Sequence, residues 1–154
     1  MLLVMIIMAI MVIAVAKISV AAFSSHKKLR GESLVFHDLF WALDFMKHKV
    51  MNADTVTIDA SWTGAQWKSS ALVTDASAFV LYQPAGSTGV NFVFVPDITD
   101  KSNVETIFSA GESMSFTPTQ SSKLVTLIIV GKKDTSGIGD YENFNETIVI
   151  KRRN

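Results

Sequence analysis

The chain has 154 residues, enough for one domain with its own core. Acids and bases balance at 14 each, which excludes a global field favouring nucleic acid or a charged substrate, and the absence of cysteine excludes disulfides, thiolate metal sites and a cysteine nucleophile. The apolar fraction is 49% and the mean hydropathy +0.32, high for a purely soluble protein, and the excess sits mostly in the first two dozen positions.

The first element is the stretch MLLVMIIMAIMVIAVAK. No charged or strongly polar side chain precedes Lys17, and the apolar run resumes through Ile18, Val20, Ala21, Ala22 and Phe23. A secretory signal would carry basic residues ahead of a shorter apolar run. As a helix, residues 1–23 rise about 35 Å, enough to cross a hydrocarbon core of about 30 Å. Lys17 can snorkel to the interface. The basic cluster His26, Lys27, Lys28 and Arg30 follows at once, and the positive-inside rule alone would place it in the cytoplasm, with Met1 outside.

Nothing stops the helix at Phe23, because the first proline is Pro84 and the only glycine before Gly64 is Gly31. The pattern turns amphipathic instead. Leu29, Phe36, Leu43 and Val50 recur every seven residues, and Leu39, Met46 and Ala53 form a companion stripe in which Glu32 is the misfit. One continuous helix of roughly 80 Å to Ala53 is expected, leaving an apolar environment near residues 23–26 and then laying one face on a domain.

After Asp54 the chain becomes β-rich. Strands are expected at 55–58, one or two within 70–82, and at 90–95, 113–117, 123–130 and 146–151. Turns are expected at 84–89 and 118–122, and a Gly/Asp-rich loop at 131–141. No further helix is expected. The fold class is α+β: a long N-terminal helix, apolar in its first half and amphipathic in its second, packed on an antiparallel β-sheet. The division is 1–23 for the transmembrane or filament-core half of the helix, 24–53 for its amphipathic half and 54–154 for the β-rich head.

Three features together resemble the type IV pilin-like superfamily, which comprises type IV pilins, minor pilins and the pseudopilins of type II secretion. The chain begins at once with an apolar helix. The passage from Phe36 to Ile58, with Asp38, Leu39, Ala42, Ala53 and Val56, is similar to the helix-to-first-strand passage of minor pilins. The closing stretch from Phe144 to Asn154, with Thr147, Ile148, Val149, Ile150 and Arg152, is similar to the last strand of minor subunits.

The resemblance implies a single-pass protein of the cytoplasmic (inner) membrane with its head outside, later built into a periplasmic or extracellular filament. A basic leader removed by a peptidase would account for the missing n-region, and Met1 would be the processed, N-methylated residue facing inward. The expected partners are other pilin-like subunits, the inner membrane before assembly and an assembly platform, with no nucleic acid. The family's usual acid at the fifth position is replaced by Met5, which implies a minor or tip subunit; the alternative is a major subunit of a filament assembling without the acidic contact. Ala14 and Ala22 stand where many bacterial major pilins carry helix breakers. Assembly is expected to run through Met1, Met5, Ala9, Ala14, Ala16, Ser19 and Ala22, small and apolar positions that let helices approach closely. A heterologous interface that does not close gives a filament.

The remaining polar features carry little chemistry. His26, His37 and His48 are spaced by eleven residues, about 16 Å apart along a helix, too far to share a metal. Asp44 and His48 are placed for an i,i+4 pair. The loop with Asp134, Asp140 and Glu142 is oxygen-rich, as calcium loops are, and some pseudopilins bind calcium in a C-terminal loop. The EF-hand spacing is absent, which favours a solvated turn. Asn145-Glu-Thr147 has the spacing of a glycosylation sequon. Trp62, Trp67 and Phe79 read either as sheet core, the favoured reading, or as an exposed patch. There is no phosphate loop, no G-x-S-x-G and no H-E-x-x-H. No cofactor is therefore expected and no enzyme. Two functions of different class remain: a filament subunit, or a membrane-anchored β-domain that binds a ligand and never polymerises.

Overall fold

The computed structural model describes residues 2–109, 113–134 and 141–153. Helix α1 runs unbroken over Leu2–Asn52, 51 residues, with no proline to interrupt its ladder. Among the described residues eight strands follow: β1 (Val56–Asp59), β2 (Ala71–Thr74), β3 (Ser77–Tyr82), β4 (Asn91–Val95), β5 (Glu105–Ser109), β6 (Ser113–Ser121), β7 (Leu124–Asp134) and β8 (Tyr141–Lys151). All pairings are antiparallel, and the layout is α+β as the residue pattern requires.

The strands form two sheets rather than one, a five-stranded sheet in the order β1-β2-β3-β4-β5 and a three-stranded sheet in the order β6-β7-β8. The main core lies where α1 and both sheets meet. Val35, Leu39, Ala42, Leu43, Met46 and Val50 recur at helical period on one face of α1 and are buried against Phe79, Phe92, Leu127 and Ile129. The expected seam therefore starts late. Leu29 is 66% exposed and Phe36 only half-buried, so the head first covers α1 at Val35.

A second cluster fills the other face of the five-stranded sheet: Trp62, Ala71, Ala78, Val80, Val93 and Val95, with Trp67, Tyr82 and Ile98 packed on it. β3 and β4 are thus covered on both sides, which explains why they read as apolar runs without alternation. Trp62 and Trp67 meet edge-to-face at 5.0 Å between ring centroids and belong to the sheet core.

Four expectations need correction. A one-turn 3₁₀ helix occupies Ala60–Trp62, capped by Asp59, whose carboxylate accepts from the Ser61 amide at 2.8 Å. β5 was not expected from the sequence: it is an edge strand with a single fully buried residue, Phe108, so no alternation marks it. β6 runs straight through Pro118, which pairs with Leu127, because an edge strand tolerates a missing N–H. The turn sits at Ser122-Lys123 instead, with Ser122 at φ 53°. Finally, residues 131–134 continue β7, and β8 already begins at Tyr141, where a loop was expected.

Two contacts lock α1 to the head at its C-terminal end. Asp75, in the two-residue turn between β2 and β3, accepts from the Thr55 amide at 2.8 Å and from the Thr55 hydroxyl at 3.2 Å. Its own amide donates to the Thr55 carbonyl at 3.1 Å. From the far end of the chain, the Arg152 guanidinium donates to the Asp54 carbonyl, while the Arg152 amide bonds the Lys123 carbonyl at 2.9 Å.

Candidate functional site

The feature that sets this molecule apart is the half of α1 that the head leaves bare. Every residue from Val4 to Arg30 is exposed, and so are Ser33 and Leu34. Within this segment Met5 is 72% and Phe23 77% exposed. A run of Val, Ile, Met and Phe on all sides of a helix has no amphipathic solution in water, and by length and composition it suits an apolar surrounding. From Val4 to Phe23 the helix rises about 29 Å, which matches the roughly 30 Å hydrocarbon core of a bilayer. Among the described residues there is one helix, near the N-terminus, long and apolar enough to cross a membrane.

The sequence-predicted assembly residues fall on this bare segment. Met5, Ala9, Ala14, Ala16, Ser19 and Ala22 are all exposed on it, and Met1 lies outside the described residues. At about 100° per residue, Ala9 and Ala16 share one side, as do Ala14 and Ala21. Each pair leaves a shallow strip between longer side chains where a second helix can approach closely. Ser24 returns its hydroxyl to the Ala21 carbonyl at 2.9 Å, which removes a donor from the helix surface. No helix breaker interrupts the segment.

The head offers less. His26, His37 and His48 are exposed along α1. His48 Nε2 lies 3.5 Å from Asp44 Oδ2, the expected i,i+4 pair, and His37 Nδ1 lies 3.7 Å from Asp38 Oδ1. Exposed pairs of this kind contribute about 0–1 kcal/mol. Among the described residues no group of three or more His, Asp or Glu side chains gathers as a metal site would require. Of the calcium candidates, Asp134 ends β7 and Glu142 lies in β8 opposite Lys133, while Asp140 lies outside the described residues. Asn145 and Thr147 are both exposed on β8, the edge strand beside β7.

One open groove lies beside the C-terminal end of α1, lined by Phe45, Lys49, Thr74, Asp75, Phe94 and Pro96. The Lys49 ammonium caps it, 5.1 Å from the centroid of Phe94 and 5.8 Å from that of Phe45. A second groove lies between α1 and β5, where the exposed Trp41 stacks on Phe45 with ring planes 1° apart. Sequence reasoning missed both grooves, because each is built from residues brought together by the packing of α1 on the sheet.

Carboxylates whose pKa is lowered lie in turns of the head and organise them. The Thr99 hydroxyl and amide donate to Asp97 and hold its carboxyl below the ordinary value. Ser102 does the same for Asp100, and Ser61 for Asp59. Comparison with protein-family models, with curated proteins and with solved structures finds no match.

Proposed function

We propose that the protein is a structural subunit of a pilin-like filament, anchored in a membrane by the bare half of α1 and polymerised through the same surface. One observation carries this reading: an uninterrupted helix is packed in the head from Val35 onward and uncovered over Val4–Arg30. Lipid satisfies that surface in the monomer, and neighbouring helices replace the lipid in the filament. The exchange needs no net gain in hydrophobic burial. It is driven by close packing along the Ala9/Ala16 and Ala14/Ala21 strips.

Met5 supports a subunit that docks without a buried ion pair. A carboxylate inside an apolar helix core is costly unless a cation meets it, and here neither is required. A minor or tip position fits such a subunit, as does a major subunit of a filament held by apolar packing alone. The head, turned outward, would set what the filament touches in the periplasm or outside the cell.

The test is electron microscopy of filaments sheared from native cells, with subunit identification by mass spectrometry. This chain is expected in the filament fraction, starting at a cleaved, N-methylated Met1. Recovery only from membranes, as a monomer with residues upstream of Met1 still attached, would establish the non-polymerising anchored β-domain instead.

A further inference from the structure

Residues 1–31 contain no aspartate or glutamate, whereas four cations and a histidine lie between Lys17 and Arg30. Three of those cations and the histidine, His26, Lys27, Lys28 and Arg30, are concentrated within about 6 Å of helix rise. All are exposed, on a part of α1 that the head does not cover. Their angular placement is the informative feature. Measured from His26, Arg30 stands about 40° round the helix, Lys27 about 100° and Lys28 about 200°. The charges make a partial collar rather than a single stripe.

A protein groove or a polynucleotide meets a helix along one side and would select a stripe. A layer that surrounds the helix selects a collar. The headgroup region of a bilayer is such a layer, about 5–7 Å deep on each side of the hydrocarbon core. With Val4–Phe23 filling the core, the collar's backbone begins about 4 Å beyond it at His26 and ends about 10 Å beyond it at Arg30, so His26 and Lys27 lie within that layer and the longer Lys28 and Arg30 side chains reach back to it. Lys17, about 9 Å below Phe23, reaches the same layer by extending its stem upward.

We infer that this collar is a binding site for acidic phospholipid headgroups, which gather around the monomer before assembly. The inference rests on the membrane-anchored reading above and deepens it by naming the lipid class. Each lysine or arginine near an acidic surface raises binding by about fivefold. Lys27 and Arg30 therefore suffice for a marked selectivity. The collar also gives the bilayer a hold on the subunit that polymerisation must break, so acidic lipid favours the stored monomer.

The experiment uses the full chain in nanodiscs of equal parts phosphatidylglycerol and phosphatidylcholine with the same acyl chains. Lipids retained on the released protein are counted by native mass spectrometry. Phosphatidylglycerol should be enriched about fivefold or more, the value of one surface cation. Lys27→Gln with Arg30→Gln should remove most of the enrichment. Lys47→Gln, an exposed cation farther along α1, should leave it unchanged. Inorganic phosphate added at constant ionic strength should not reduce it.

Equal retention of the two lipids by the unaltered chain overturns the collar. So does unchanged enrichment in the double variant, equal loss in Lys47→Gln, or displacement by free phosphate. Insertion without lipid selectivity leaves the anchored reading standing, whereas failure to enter the nanodisc at all defeats both.

Discussion

At Gly131, β7 passes so close to Phe144 that a Cβ there would collide with three atoms of the ring. Phe144 is buried and packs edge-to-face on Phe108 at 5.4 Å, so the ring has nowhere to swing. Gly131→Ala is expected to cost about 1–3 kcal/mol, measured by chemical denaturation of the detergent-solubilised protein. Asp75 makes a different demand. It sits at φ 53°, a conformation that Asn tolerates and Ala does not, and it ties β1 to the β2–β3 turn. Asp75→Asn should therefore destabilise less than Asp75→Ala, for which a loss of about 1–3 kcal/mol is expected by the same assay. Asp97 and Asp100 set an acid limit. Because their folded values lie below the ordinary 3.8, they contribute stability above that pH and lose it as pH falls through the folded values. The amide resonances of Thr99 and Ser102 should stay fixed between about pH 5 and 8 and shift only below about pH 4. Movement near neutrality would contradict the assignment.

The elements differ sharply in how far the sequence announces them. α1 was legible because both of its signals are strong: an apolar run with no breaker, then a helical stripe. What could not be read was where the head takes hold. Leu29 fits the seven-residue spacing as well as Phe36 does, but position on a stripe does not say whether anything lies opposite. β5 and the second half of β6 were hidden for a related reason. Edge strands bury few side chains, and Pro118 looks like a terminator unless the strand is known to be an edge. The bare apolar half of α1 was legible as a helix, since an apolar run needs no partner within its own fold. The two grooves were not, because they depend on which strand faces α1. A proteolysis prediction belongs to this scale. Residues 24–30, with Ser33 and Leu34, are exposed, so the helix there opens more readily than the packed turns beyond Val35. Limited trypsin in detergent should cut first at Lys27, Lys28 or Arg30 and release a folded head. A first cut within the head, at Lys101 or Lys123, would show that the bare helix is protected.

For the whole molecule, the separation of a bare half-helix from a folded head means the two can be altered independently. Ala14→Leu with Ala21→Leu fills one of the strips where, on the filament reading, a neighbouring helix would approach closely. In cells the variant should accumulate in the membrane at normal levels, while its share of sheared filaments falls at least about tenfold, read by immunoblot of the two fractions. A tenfold change corresponds to about 1.4 kcal/mol per docking event, a modest demand for overpacked helices. Filaments at normal yield would mean that α1 does not assemble along that face. The head should be unaffected, because its core begins almost four turns beyond Ala21.

The lock at the end of α1 has a mechanical consequence. If the rod is pulled while the head is held, the packed face of α1 from Val35 to Val50 takes up tension first. What remains passes to Asn52–Asp54, where Asp75 belongs to the larger sheet and Arg152 directly follows β8, so this share is divided between both sheets instead of being passed down the chain to β1 alone. β8 shares eleven residue pairs with β7, so the branch through Arg152 ends in the longest ladder of the fold. Cutting that branch with Arg152→Gln would leave the exit from α1 held by Asp75 and by β1, a strand of four residues, both on the larger sheet.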